Sequence, residues 1–235
     1  MGPRKTVLFI VEGPSDEAAL EKIFKRIYRK NKNIIFKFTN GDISSDFEVT
    51  KDNVEGKIYD KVLEVMRDTK ITKSDLFQIV QVFDTDGTYI SDDAIIKGDT
   101  KEFLYSEKNI CCVDVQKVIE RNTHKRDVME YLLSIKNIRS IPYTMYFMSC
   151  NLDHALYNKI NLDKDDKQRY ADQFYEKFIG KEYMFIEFLK TDVVNGVPNS
   201  LPESWKYIKQ GVHSLERHTN LHIYFDENLR PDGLL

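Results

Sequence analysis

Two apolar runs in this chain end in carboxylates. Val7-Leu8-Phe9-Ile10-Val11 leads into Glu12-Gly13-Pro14-Ser15-Asp16-Glu17, and Ile79-Val80-Gln81-Val82-Phe83 leads into Asp84-Thr85-Asp86-Gly87. Each run has the length and composition of a strand covered on both faces. If the two strands are neighbours pointing the same way, Glu12, Asp84 and Asp86 converge at one edge of a sheet. Carboxylates crowded in this way repel one another unless a cation lies between them, and an all-oxygen ligand set suits Mg²⁺ or Mn²⁺. The carboxyl edge of a parallel sheet is a natural place for phosphate chemistry, where a divalent ion activates water and neutralises a leaving oxygen.

The surrounding pattern supplies elements to hold these residues. Ser15 is placed to cap a helix whose first turn carries Asp16 and Glu17, where negative charge is favoured. Leu20, Ile23, Phe24 and Ile27 follow at helical spacing and give that helix one apolar face. Ile34–Phe38 reads as a second strand, Ile58, Val62, Val65 and Met66 as a second helix, and Leu76–Phe83 as a third strand. This order, with short links, predicts an α/β fold with a mostly parallel, Rossmann-like sheet flanked by helices. Residues 88–108 read as a polar loop or short helix near the site mouth, Asn109–Val115 as a fourth strand, and residues 116–137 as a helix with a weak stretch at Asn122-Thr123-His124. Tyr143–Met148 reads as a further strand. From about 155 the chain turns helical, with one stripe at Ala171, Phe174, Tyr175 and Phe178 and another at Trp205, Ile208, Val212 and Leu215; Thr219–Phe225 reads as a last strand. The expected division is a catalytic domain over 5–155 and a mainly helical region over 156–235 that clamps substrate, binds a partner or dimerises.

Composition narrows the class. The chain has 235 residues, 41% hydrophobic and 31% charged, as in a soluble globular protein. No apolar run approaches the roughly 20 residues that span a membrane, and the start leads directly into a strand rather than a secretory leader. Cys111, Cys112 and Cys150 are odd in number and lack a Cys-x-x-Cys spacing, so they read as core thiols in a reducing cytoplasm rather than zinc ligands. A formal charge of −3 excludes a basic nucleic-acid binder by bulk electrostatics. No G-x-x-x-x-G-K-[ST] is present, so ATP hydrolysis by a P-loop is not expected of this chain.

Glu12 after strand one with Asp84-x-Asp86 after strand three resembles the TOPRIM domain of topoisomerases, primases and OLD-type nucleases. The form Val11-Glu12-Gly13-Pro14-Ser15-Asp16-Glu17 looks most like the OLD-type and small stand-alone phage-defence nucleases. The likeness covers about residues 5–155. It implies a nuclease that cleaves DNA or RNA with one or two Mg²⁺ or Mn²⁺ ions held by Glu12, Asp16, Asp84 and Asp86. It also implies an effector of anti-phage defence, an abortive-infection toxin kept silent by an ATPase or other regulatory partner. A homodimer is the default assembly for such a nuclease. Asn151-Leu152-Asp153 resembles an Asn-x-Glu element of small TOPRIM proteins, with Asp in place of Glu. OLD-type nucleases use a basic residue downstream, for which Lys206, Lys209 and Arg217 are the candidates.

Other residues compete for attention. Glu17 and His154 are secondary site candidates, and His213 and His218 with Glu216 could touch phosphate. Lys22, Lys25, Arg26, Arg29, Lys30 and Lys32 form a basic run that either faces solvent or tracks a nucleic-acid backbone. Asp84-Thr85-Asp86-Gly87-Thr88 also looks like the first motif of haloacid-dehalogenase-like phosphatases, with Asp84 as nucleophile, Asp86 as general acid and Ser149 as a second motif. A third reading keeps the TOPRIM fold as a non-catalytic binding module.

Overall fold

A computed structural model describes residues 5–29, 34–41, 43–44, 46–193 and 196–228. Lys30 and Lys32 of the basic run lie outside the described residues. The chain begins β1 (Lys5–Val11), α1 (Pro14–Ile27), β2 (Ile34–Asn40), α2 (Val54–Thr69) and β3 (Leu76–Asp84). Three short strands follow, β4 (Ile95–Lys97), β5 (Leu104–Tyr105) and β6 (Ile110–Cys112), and then α3 (Val115–Ser134), β7 (Asn137–Ile138) and β8 (Ile141–Ser149). The remainder is α4 (Leu152–Tyr157), α5 (Lys167–Lys177), α6 (Tyr183–Phe188), α7 (Leu201–Ile208), β9 (His218–Thr219) and α8 (Leu221–Asn228).

The main sheet runs β2-β1-β3-β8-β7, with β9 also on β8. The pairs β1–β2, β1–β3 and β3–β8 are parallel, with Phe9 opposite Phe38 and Val80, and Val80 opposite Thr144. β7 and β9 are antiparallel to β8 and pair with its opposite ends. Between them side chains close the edge: Trp205 Nε1 donates to the Met145 carbonyl, and Asn220 Oδ1 accepts from the Phe147 amide. Exposed strand edges invite further pairing, and this one is sealed.

Unbroken apolar strands bury both faces because helices cover both. Val7, Phe9, Val11, Val80 and Tyr146 face α1, α5, α6 and α8, whereas Leu8, Ile10, Ile79, Phe83 and Met145 face α2, α3 and α7. The architecture is therefore α/β with a mostly parallel mixed sheet between two helical layers. Among the described residues no helix is long and apolar enough to cross a membrane.

Several expected elements differ. The strand expected at Asn109–Val115 is only Ile110–Cys112, and it lies outside the main sheet, between β4 and β5. Ile110 and Cys112 point instead into a third small core with Ile90, Ile95, Val118 and Leu215. The polar stretch 88–108 holds a 3₁₀ turn at Asp92–Ala94 and two of these short strands. The weak stretch near Asn122 does not interrupt α3. The strand expected at Thr219–Phe225 covers only its first residue; Leu221 onward is helix. All five residues Leu221–Phe225 are buried, and such a run looks alike in a buried helix and a buried strand. Residues after 155 share cores with those before: Phe24 meets Phe225 at 4.9 Å between ring centroids, and Phe147 meets Trp205 at 5.1 Å.

Candidate active site

β1 delivers Glu12 to the carboxyl edge of the sheet, beside the end of β3. Glu12 Oε1 accepts from the Asp84 amide at 3.2 Å and from Ser44 Oγ at 3.1 Å, so the side chain extends the ladder past the last paired residues. Gly13 is the N-cap of α1 and Pro14 its first residue. Ser15, expected as the cap, lies inside the helix; the capping contact comes from Asp16, whose Oδ2 accepts from the Gly13 amide at 2.8 Å, while Ser15 Oγ donates to Asp16 Oδ1 at 3.4 Å. Glu17 points to β2 and accepts from Asn40 Nδ2.

After Asp84 the chain turns sharply. Asp86 and Gly87 both have positive φ, 48° and 67°. A Cβ on Gly87 would lie 2.6 Å from Leu215 Cδ2, so glycine is required there by both backbone and space. The turn is anchored from three sides. The Thr85 amide donates to the Met148 carbonyl, the Asp86 amide to Cys150, and the Gly87 amide and Thr85 hydroxyl to Ser214. Asp84 Oδ1 accepts from the Leu152 amide at the start of α4.

The cation among these carboxylates is a residue that sequence reading missed. Lys125, on α3, has no exposed side-chain surface; its Nζ lies 2.6 Å from Asp86 Oδ2 and 3.2 Å from Glu12 Oε1. One turn earlier, Arg121 donates to the Asp86 carbonyl at 2.8 Å and to the Tyr105 hydroxyl at 2.6 Å. A third cation, Lys167 on α5, holds Asp153 Oδ2 at 2.6 Å. The signal for the first two was present: Arg121, Asn122 and Lys125 fall in the same helical stripe as the buried Val118, Val128, Met129 and Leu132. Cationic residues on an inward stripe need buried partners.

Charge is balanced unevenly. For Asp86, burial raises the pKa, but Lys125 and Arg121 outweigh it and hold the carboxyl below its ordinary range. Asp84 goes the other way, raised well above that range by burial and by repulsion from Glu12, Asp16 and Asp86. Burial pushes Asp16 up to about 6, with Asp153 adding repulsion while the Gly13 amide and Lys167 pull it down. Lys125, Arg121 and Lys167 thus offset only part of the mutual repulsion, which falls on Asp84 and Asp16. Asp153 is 2% exposed, and its Oδ1 is buried with no hydrogen-bond partner.

Among the described residues no three His, Cys, Asp or Glu side chains are already spaced as a metal cage; Lys125 lies between Glu12 and Asp86. The chemistry nevertheless fits a hard divalent cation: oxygen donors, carboxyls that repel one another and an orphaned carboxylate oxygen. Beside the cluster opens a cleft of about 840 Å³, lined by Gly13, Ser15, Tyr105, Asp153, Lys164 and Lys167 among others. That volume falls in the range of small-ligand sites.

Other candidates lie elsewhere. Lys206 pairs with Glu203 and Lys209 with Glu130, both at exposed positions. Arg217 donates to the carbonyls of His154, Ala155 and Asp192, a structural task. Asn151 caps α4 by accepting from the His154 amide, which places Asp153 in its first turn. His154 is buried and accepts from the Cys150 amide; burial, then Arg217 and His218, lower its pKa to about 4, so it is neutral at physiological pH. His213 stacks on Tyr207, and His218 contacts Glu216. Ser149 donates to the His213 carbonyl. On α1 the basic run is paired within the chain: Lys22 with Asp172, Lys25 with Glu21, Arg26 with Glu182. No family, no curated protein and no solved structure matches this chain.

Proposed function

We propose that this chain is a Mg²⁺- or Mn²⁺-dependent nuclease. The observation that carries the reading is the gathering of Glu12, Asp16, Asp84, Asp86 and Asp153 around the carboxyl edge of adjacent parallel strands, with one buried oxygen of Asp153 left without a hydrogen-bond partner. Oxygen donors of Asp84, Asp16, Asp153, Glu12 and Asp86 are the residues to hold metal. A bound divalent ion would acidify water and neutralise charge developing on a phosphate. The chain's own part is positional. The turn at Asp86 and Gly87 fixes the carboxylates, Lys125 and Arg121 hold that turn, and Lys164 and Lys167 line the cleft where a phosphodiester would lie. The TOPRIM resemblance of Glu12 and Asp84-x-Asp86 supports the same reading. By that resemblance we place the protein in the cytoplasm as a phage-defence effector, with a regulatory partner such as an ATPase and a two-fold dimer as its assembly.

A cleavage panel of plasmid, single-stranded DNA, transfer RNA and a phosphomonoester, each with Mg²⁺, Mn²⁺ or EDTA, tests the proposal. Polynucleotide cleavage that needs metal and falls roughly 10²-fold or more in Glu12→Gln and Asp84→Asn is the expected result. Phosphomonoester turnover lost in Asp84→Asn and kept in Glu12→Gln would establish the phosphatase instead. Metal binding with no turnover on any substrate would establish a binding module.

A further inference from the structure

We infer that the substrate of this site is single-stranded nucleic acid, one unpaired base of which stacks on Phe103 in the cleft beside the carboxylates. This rests on the nuclease reading and names its substrate class.

The cleft has an aromatic wall. Phe103 and Tyr105 line it from the β5 side, facing a lining that includes Ile160 and Leu162. Phe103 is half-buried, and the Arg121 guanidinium lies over its ring, 5.1 Å from the centroid. Arg121 is 8% exposed and also donates to the Tyr105 hydroxyl and to the Asp86 carbonyl. The cation against the aromatic wall is thus the one that holds the carboxylate turn, so a base seated on Phe103 is one guanidinium away from Asp86. Asn161 fixes the wall, accepting from the Tyr105 amide at 2.9 Å and donating to the Tyr105 carbonyl at 2.8 Å. Aromatic rings and guanidinium planes are the groups on which unpaired bases stack.

The polar groups around the wall point to stacking rather than to reading of base edges. Asn161 spends its oxygen and an amide N–H on Tyr105, and Asn151 accepts from the His154 amide and donates to the Ile160 carbonyl. Side-chain amides committed in this way leave the contact tolerant of sequence. A duplex does not meet the wall, because its bases stack on one another and show only their edges in the grooves. Nor does the charge suit a duplex. Lys164 and Lys167 line the cleft together with Glu102, Asp153 and Asp163, and Lys167 is tied to Asp153. On α1, Lys22, Lys25 and Arg26 are paired within the chain. Two lysines meet at most about two phosphates, which gives a salt slope for a single strand no steeper than about −1.4. The larger share of the affinity then comes from the stacked base.

The test is fluorescence anisotropy of the full chain in EDTA with oligothymidylate and oligouridylate of about 12 nucleotides, and with the duplexes each forms with its oligoadenylate complement. At least one of the two single strands is expected to bind about 10-fold or more tighter than its duplex, with a salt slope inside that limit. Single-stranded oligodeoxyadenylate is expected to bind within about 10-fold of oligothymidylate. Phe103→Leu keeps an apolar side chain and removes the ring; it is expected to weaken single-strand binding at least about 5-fold, and Phe103→Trp to retain it. A smaller preference for both single strands, a steeper slope, a larger difference between the two homopolymers, unchanged affinity in Phe103→Leu, or no binding of any strand would overturn the inference. Metal-dependent cleavage in the panel decides the nuclease reading separately: a metal-dependent enzyme that prefers duplex remains a nuclease and removes only the stacked base. The strand preference and salt slope of wild type need no variant, so the inference stays open to refutation if Phe103→Leu fails to fold.

Discussion

A lysine with no exposed side-chain surface is stable here because two carboxylates flank its ammonium. Removing one member of a buried ion cluster costs more than the pair contributes, since the partners keep their charge out of water. Lys125→Ala, measured by urea denaturation in EDTA at pH 7.5, is therefore expected to lose about 3–5 kcal/mol, with much of the loss recovered on adding Mn²⁺. Asp16 makes the converse prediction. Its pKa rises from 3.8 to about 6 on folding, because burial penalises the carboxylate. The folded state then holds the proton more tightly than the unfolded state, so stability falls as pH rises from about 4 to about 6, and the cost stays above that window. Asp16→Asn retains an oxygen for the Gly13 amide and removes the charge. In EDTA at pH 7.5 it is expected to gain on the order of 2 kcal/mol, a gain that shrinks below pH 6 and is gone near pH 4. A gain that is constant across that range would mean that Asp16 does not titrate with folding.

At the scale of elements, β1, α1 and β3 were legible because their signals are local. Continuous apolar runs marked strands buried on both faces, and the 3–4 spacing of Leu20, Ile23, Phe24 and Ile27 marked the inner face of α1. The acidic half of the site was legible for the same reason, since Glu12 and Asp84 sit directly at strand ends. The basic half was not. Lys125 and Arg121 reach the cluster from a helix whose partners Asp86 and Glu12 lie 35 to 113 residues away in the chain, and only their place on an inward stripe betrays them. Nor could sequence separate β6 from the main sheet, because partner choice depends on which core a short strand faces. The turn after β3 offers an element-scale test. Gly87→Ala forces an L side chain into positive φ and against Leu215, so a loss of at least about 2 kcal/mol is expected. Gly180→Ala has the same backbone penalty, with φ 77° and nothing within 4 Å of the added Cβ, and is expected to lose about 1 kcal/mol. Equal losses in the two melting curves would remove Leu215 from the account of the turn.

At the scale of the molecule, the expected division near residue 155 has a physical cost. The Thr85-Asp86-Gly87 turn hangs on the Ser214 carbonyl and packs on Leu215, so residues late in the chain complete the carboxylate geometry. Lys167 and Asp153 meet across the same boundary. The two faces of the sheet are likewise closed by late helices, Phe225 of α8 against Phe24 on one side and Trp205 of α7 against Phe147 on the other. Elements that share cores through one sheet unfold together. Trp205 is the single tryptophan of the chain, so its fluorescence reports one face alone. Phe225→Ala removes a fully buried ring from the opposite face, at an expected cost of about 3–5 kcal/mol. If the chain is one cooperative unit, that substitution shifts the Trp205 fluorescence transition as far as it shifts the circular-dichroism transition, although the two residues lie on opposite sides of the sheet. A Trp205 transition left in place would make the α1–α5–α8 layer a separately unfolding unit.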